Sequence, residues 1–402
     1  MWVIRTFTSM VIFIPPTLQA GGMELSGQSI GPFFEQGNYT EITLARLNAD
    51  ISGQVQNQAE LAEIGVTDFS TGNFVEDRNF VQAALKFQPY PKVSFGLIFD
   101  QPFGVDIQYH YRPNTVIGPI EIESTEIHFD SQNITTLFGY QLNPTWQIYA
   151  GLGVQSFKGD LQVFGQSFYF LNGYRAEFKK DHALGWLAGL NYQIPEYALR
   201  SSLTYRSAIK HQVHVNESIQ NQPIHLTTEN KTKIETPASV NFDFQTGISQ
   251  KNLLYASLRW VNWSDYIIQP TQFAAIIDSA AQYAPEIASF KMIQYQEDQW
   301  SGKVGIAHQY NQRWVSTFDL GWDVGSGNTA STLSPVDGYY SLGLGGLYYW
   351  QPQSFFALGT QYLHFNKAKT LQNTEVNPKL ATLYSVNQND AWVFGAKIGH
   401  HF

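Results

Sequence analysis

The sequence predicts an all-β fold: a 14-stranded antiparallel transmembrane β-barrel preceded by a short N-terminal segment. Three observations carry this expectation. The closing segment alternates, with Trp392, Phe394, Ala396, Ile398 and Phe402 on one face, and Lys397 among the residues of the other. The chain is aromatic and poor in charge, at 15% and 14%, where soluble domains carry about 25% charged residues. Six compact turn signals recur along it, and the segments between them are polar stretches of uneven length flanked by alternating ones. A barrel strand shows lipid only every second side chain, and aromatic girdles mark the two interfaces. Such a chain is therefore rich in Tyr, Phe and Trp without containing any long apolar run.

From the amino terminus, residues 1–20 read as a secretory signal peptide. Arg5 precedes an apolar stretch through Met10 to Ile14, and Leu18-Gln19-Ala20 offers a small residue before a cut at Gly21. The apolar run is too short to cross a bilayer as a helix, and no later segment approaches the roughly 20 apolar residues needed. The absence of cysteine rules out disulfides and thiolate metal sites. A net charge of −9 with no basic stretch argues against a nucleic-acid partner.

Residues 21–38 (GGMELSGQSIGPFFEQGN) precede the first strand, with Gly21, Met23, Phe33 and Phe34 as candidates for an apolar path should the segment plug the barrel. The two phenylalanines either line that path or anchor the plug. Gly27-Gln28-Ser29-Ile30-Gly31 has the spacing of a hydrolase nucleophile elbow. That motif needs a preceding strand, a following helix and an α/β sheet, so here it reads as flexible, Gly-rich chain.

The barrel is assigned to residues 39–402. The turns are Pro89 to Lys92, Asn143-Pro144, Pro195-Glu196, Ser249 to Asn252, Asn311-Gln312 and Gln351 to Gln353, where Pro and Asn favour tight reversal. They join twelve strands, and one strand before and one after make fourteen, near 39–52, 79–88, 93–109, 122–141, 145–159, 183–194, 198–212, 233–248, 253–267, 299–309, 314–324, 337–350, 354–366 and 390–402. An even number places both termini in the periplasm. Trp314, Phe318, Leu320 and Trp322 alternate with Thr317, Asp319, Gly321 and Asp323. Likewise Leu199, Leu203, Tyr205 and Ile209 alternate with Arg200, Arg206 and Lys210. A cation facing lipid at mid-depth costs about 2–4 kcal/mol, so the charged sets are expected to face the lumen.

The third strand carries the sharpest local signal. Within Asp100, Pro102, Phe103 and Gly104, Pro cannot donate a ladder hydrogen bond and Gly marks a bend. In a closed barrel this predicts a break in the ladder; the plainer alternative is a strand that ends at Asp100. Arg200, Arg206 and Lys210 on one strand, and Lys158 near the outer end of the fifth, are candidate headgroup contacts. The alternative for the three is pairing with lumen carboxylates such as Asp319 and Asp323. Residues 271–291 suggest two short helices divided at Pro285. His400 and His401 point to opposite faces, so no metal site is expected.

Several segments together resemble the FadL/TodX family of outer-membrane fatty-acid and hydrocarbon transporters. They are Gly185-Trp186 with Asn191-Tyr192, Leu203 to Ser207 (LTYRS), Trp263 to Tyr266 (WSDY), Trp300 to Ala307 (WSGKVGIA), Asp337 to Gly343 (DGYYSLG) and Ala391 to Gly395 (AWVFG). The match spans residues 80–402 discontinuously and is strongest in the second half. It implies a monomeric fourteen-stranded barrel, with residues 21–38 as a short N-terminal hatch in its lumen. It also implies passive uptake of hydrophobic small molecules such as long-chain fatty acids, with lateral release at the kinked third strand. The implied partners are outer-membrane lipid and the barrel-assembly machinery, for which Phe402 would be the signal; no cofactor or catalysis is implied. The chain departs from the family in lacking an Asn-Pro-Ala segment in residues 21–38. Two contrasting classes are a general water-filled porin and an outer-membrane lipid-modifying enzyme. The second needs a Ser/His/carboxylate set, and here Ser and His are scattered.

Overall fold

Fourteen long strands each pair antiparallel with their neighbours in sequence, and the last pairs with the first, so the sheet has no free edge. The computed structural model describes residues 23–55, 58–285, 291–327, 330–331, 337–367, 369–371 and 383–402. The strands are β1 (Tyr39–Val55), β2 (Arg78–Tyr90), β3 (Val93–Asp100, resuming as Gly104–Gln108), β4 (Ser124–Gln141), β5 (Trp146–Phe164), β6 (Tyr174–Ile194), β7 (Leu199–Arg206 and Ile209–Ile219), β8 (Lys231–Thr236 and Ser239–Gly247), β9 (Asn252–Val261), β10 (Gln299–Gln309), β11 (Trp314–Asp323), β12 (Tyr339–Gln351), β13 (Ser354–Phe365) and β14 (Leu383–His401). β1 and β14 close the barrel from Tyr39↔His401 to Val55↔Tyr384. The six turns fall where Pro and Asn predicted them. Residues 1–20, expected as a signal peptide, lie outside the described residues, as do Gly21 and residues 286–290.

Alternation places the apolar face outward. Leu44, Phe318, Leu320, Phe394 and Ile398 are exposed, whereas Thr43, Thr317, Asp319 and Lys397 are buried in the lumen. Exposed Tyr90, Trp146, Trp314 and Trp350 mark the turn end; Trp186, Trp300, Trp322 and Trp392 mark the loop end. These are the two girdles, separated by the 9–11 residues a tilted spanning strand requires. Leu44, which is 54% exposed between Val81 and Ala396, reports on this arrangement. Leu44→Arg is expected to lower barrel stability by about 2–4 kcal/mol in urea unfolding from lipid vesicles, and a change near zero would place this face away from lipid.

Several strands run beyond the loop-end girdle, so β6 begins at Tyr174 and β14 at Leu383 rather than near 183 and 390. Their outer halves enclose an apolar core to which loop residues Phe74, Tyr109, Trp263 and Tyr295 contribute, together with Phe129, Phe157 and Phe178 of the strands. Of the two expected helices, the second would follow Pro285, where residues 286–290 lie outside the described residues; the first is Thr271–Ala281. Its first turn is held by Glu217, whose carboxylate accepts the N–H groups of Gln272 (2.9 Å) and Phe273 (2.7 Å).

β7 was expected as one strand and is interrupted at 207–208. Arg206 and Ile209 both turn inward, so Ile209 is only 9% exposed and Lys210 faces outward. The lipid-facing expectation for Ile209 and the lumenal one for Lys210 are both corrected by this bulge. The Ser207 hydroxyl accepts the Trp186 N–H at 3.0 Å there, and β8 is interrupted at the same level by Pro237-Ala238.

Candidate functional site: the broken third strand and the lumenal segment

The break in β3 is a one-residue bulge. Asp100 opposes Asn133 and Gly104 opposes Asp130, so Gln101, Pro102 and Phe103 stand against Ser131 and Gln132 of β4. Pro102 has no N–H to offer. Ser131 takes over part of the ladder: its Oγ accepts the Phe103 N–H at 2.8 Å, and its own N–H donates to the Phe103 carbonyl at 2.9 Å. On the other side, the β2–β3 ladder runs from Tyr90↔Val93 to Ala83↔Phe99 and stops. Above it, side chains close the wall among the described residues. The Val81 N–H donates to Gln101 Oε1 at 2.9 Å, and Arg78 reaches across to Asp130 on β4.

Residues 23–38 run along the inside of this break. The Leu25 N–H donates to the Pro102 carbonyl and the Gly104 N–H to the Met23 carbonyl, both at 2.8 Å, forming a two-sided bridge around Glu24 and Phe103. Gly104 permits this approach, since a Cβ there would lie 2.7 Å from both Leu25 Cδ1 and the Phe129 carbonyl oxygen. The segment then crosses to the far wall. Arg259 Nε donates to Glu24 Oε1 at 2.8 Å, Asn241 donates to the Gly27 carbonyl at 2.8 Å, and Arg206 to the Gln28 carbonyl at 2.7 Å. Phe33 is buried against Gly96 and Gly139, where added Cβ atoms would meet its ring at 2.6 and 2.8 Å. Phe34 packs edge-on against Tyr149 at 5.4 Å, under the Arg200 guanidinium.

Two acidic groups of the segment are perturbed. Burial pushes the Glu24 carboxyl above its usual range, and Arg259 opposes that rise. Burial likewise raises Glu35, against the attraction of Arg200 and His401; Arg200 Nη1 lies 3.7 Å from Glu35 Oε1.

An aromatic cluster stands over the break. Trp263 meets Phe103 at 5.7 Å, Tyr266 at 5.0 Å and Tyr295 at 4.9 Å between ring centroids, while the Tyr266 hydroxyl lies 3.4 Å from Met23 Sδ. Beside the lumenal segment lies a cavity of about 140 Å³, lined in part by Gln28, Phe34, Arg200, Asp243, Tyr255 and Lys303. A cavity of this size is sufficient for one benzene ring. Lys303 Nζ is buried without a hydrogen-bond partner among the described residues.

Of the residues singled out in the sequence, Met23, Phe33, Phe34, Asp100, Pro102, Phe103, Gly104, Arg200 and Arg206 converge on this region. Lys158 and Lys210 do not. Their side chains are 54% and 65% exposed on the outer face, beside Asp130 and Glu235. Asp319 and Asp323 accept hydrogen bonds from Tyr255 and Gln299 rather than from the cations of β7. Lys303 and the Glu24–Arg259 pair were not anticipated. Lys303 had one signal, as the only Lys or Arg in β10; the pair joins residues too distant for any local pattern.

Residues 38–402 match the family described as outer membrane protein transport protein (OMPP1/FadL/TodX). Among solved structures, the fold is similar to a Pseudomonas aeruginosa FadL homologue (13% identity, TM-score 0.67, covering 92% of each chain). It is also similar to the Pseudomonas putida toluene transporter TodX (13% identity, TM-score 0.58, covering 92% of this chain and 91% of that one). A third is the Ralstonia pickettii toluene transporter TbuX (13% identity, TM-score 0.54, covering 97% and 98%). No curated protein matches the chain significantly.

Proposed function

The chain belongs to the OMPP1/FadL/TodX family of outer-membrane transport proteins, and from that premise we propose that it is a passive channel for hydrophobic small molecules, which it releases sideways through the break in β3. The observation that carries this reading is the stretch between residues 78–82 and 101–104, where side chains alone close the wall and Met23, Phe103 and Trp263 stand behind it. A cargo passing there moves from the apolar cluster behind the break into lipid without crossing water. Each buried methylene is worth about 0.8 kcal/mol, so partitioning alone drives the passage and no energy source is required.

On the same reading, residues 1–20 are the secretory signal and residues 21–38 a hatch held by the Glu24–Arg259 pair. Both termini lie in the periplasm, and the barrel works as a monomer after insertion by the assembly machinery. The cavity beside the hatch suits the headgroup end of a long-chain fatty acid, where Arg200 and Lys303 would meet the carboxylate and Phe34 and Tyr255 the first part of the chain. Mass spectrometry of small molecules that copurify with the folded barrel tests the cargo class. A long-chain acid or hydrocarbon at about one per barrel is expected, and Lys303→Met should lower retention of an acid about tenfold through loss of a charge-assisted contact. Recovery of phospholipid alone, with a large steady conductance in planar bilayers, would instead favour a water-filled porin.

A further inference from the structure

We propose that the barrel has a second lateral opening, between β6 and β7, with the Ile209 side chain as its stopper; the cargo class rests on the function proposed above, while the opening itself rests on the strand registers. The β6–β7 ladder forms from Ile194↔Leu199 to Leu187↔Arg206 and again from Phe178↔Val215 to Tyr174↔Ile219. Between these stretches, residues 179–186 and 207–214 face one another with no register pairs between them, and the Ser207 N–H donating to the Trp186 carbonyl at 2.9 Å is the last backbone bond of the lower ladder.

The cause is a pair of bulges at different heights. β7 carries its extra residue at 207–208, and β6 shifts register against β5 between Phe178 and Asp181. Between the two bulges the strands are out of phase, so residues that face each other are turned opposite ways. Leu184 is 72% exposed, while Ile209, at the same level, is 9% exposed. Antiparallel partners exchange hydrogen bonds only when they share a face, so no ladder can form here. The matching interruption in β8 keeps Ile209↔Thr236 and Arg206↔Ser239 paired, which confines the defect to this one seam.

Side chains close the seam. Asp181 Oδ2 lies 2.9 Å from His211 Nδ1 and accepts the Gln212 N–H at 3.3 Å. Ile209 covers Gly185 so closely that a Cβ there would lie 2.6 Å from its Cγ1 and Cδ1. Behind Ile209 is a cavity of about 20 Å³ that reaches Phe103 and Gln28 on the lumen side and Trp186, Ser207 and Pro237 at the seam. That is room for little more than one water, so the path is formed but shut. Trp186 belongs to the loop-end girdle, which places the seam at the outer-leaflet interface, where unpaired backbone groups still meet polar partners. The seam also continues the row of the β3 break: Phe103 bonds Ser131, Ser131 pairs with Phe157, Phe157 with Asp181, and Asp181 bonds Gln212. A hydrophobic molecule in the outer leaflet would therefore reach the space behind Phe103 once Ile209 changes rotamer.

The chain has no cysteine, so a thiol placed at the stopper reports without ambiguity. In the full barrel in liposomes, an alkyl maleimide dissolved in the bilayer should modify Ile209→Cys within about tenfold of the rate at lipid-facing Leu184→Cys, and about 100-fold faster than at the buried Ala307→Cys. Ile209→Ala should raise uptake of a pyrene-labelled fatty acid about threefold, and a short bismaleimide across His182→Cys/Gln212→Cys in that background should remove the gain. The same bridge across the ladder partners Leu190→Cys/Leu203→Cys should change nothing. Ile209→Cys reacting as slowly as Ala307→Cys, or an Ile209→Ala barrel with wild-type uptake, would overturn the proposal. Rapid modification at 209 in a barrel that carries no hydrophobic probe would leave the opening standing and remove the transport reading instead.

Discussion

Deleting Pro102 is expected to lower uptake of a hydrophobic substrate about tenfold, because it converts three residues facing two into two facing two. With the bulge gone, Asp100↔Asn133 and Gly104↔Asp130 join one continuous register. The upper part of β3 then comes into line with residues 78–82 of β2, whose backbone groups regain ladder partners. Substituting Gly104 by Val, the obvious alternative, is a poor test. Its Cβ would lie 2.7 Å from the Phe129 carbonyl oxygen and displace Leu25, which mixes resealing with loss of the lumenal segment. Pro102→Val restores a donor but keeps the extra residue, so its effect should be about twofold. Uptake into liposomes, beside gel mobility of the unheated barrel as a check on folding, measures both. A folded barrel without Pro102 that transports at the wild-type rate would exclude lateral passage at β3.

The second large effect is expected at Glu24. Its carboxylate is the counter-ion of Arg259, which is buried and also bonds Ser239 and Gln28. Glu24→Ala leaves that guanidinium without its charge partner, which costs about 3–5 kcal/mol in comparable buried pairs. That cost falls on the docked state of residues 23–38, and each 1.4 kcal/mol is tenfold in population. Docking should therefore weaken by more than about 100-fold. The released segment should become sensitive to protease, and the barrel should show a conductance that the wild type lacks. Removing both charges with Glu24→Leu/Arg259→Met should restore protection, because replacing a buried pair by apolar groups of similar size is often neutral or stabilising. A Glu24→Ala barrel as protected and as closed as the wild type would mean that the segment is held by its backbone bonds and by Phe33 instead.

The architecture was legible in the sequence because its signals are local. Pro and Asn at the six turns fixed the hairpins, and alternation in segments such as 314–323 and 391–402 fixed which face meets lipid. Pro102 with Gly104 marked the interruption in β3 for the same reason. Ser207-Ala208 carries no such mark, and only Pro237 in the neighbouring strand hints at that level. Ile209 and Lys210 were consequently assigned to the wrong faces. The outer extension of β6 (YRAEFKKDH) was missed because it lies above the lipid, where no apolar alternation is required. The contacts that hold the lumenal segment join Glu24 to Arg259 and Gly27 to Asn241, and such long-range pairs leave no periodic trace. The glycines that receive Phe33 were visible only as Gly96 and Gly139 within strands, each open to a bulge or a close approach.

Cargo released between β2 and β3 has to pass residue 101, and a single added thiol there tests that route. Gln101→Cys in the otherwise cysteine-free barrel stands at the break itself, with Val304→Cys on the lipid face of β10 as control. Uptake of a fluorescent fatty acid is measured on one preparation before and after a bulky maleimide has reacted to completion. Modification at 101 is expected to reduce uptake to a minor remainder, while modification at 304 leaves it unchanged. Undiminished uptake after full modification at 101 would contradict lateral release at β3 and direct the cargo through the lumen toward the turn end of the barrel.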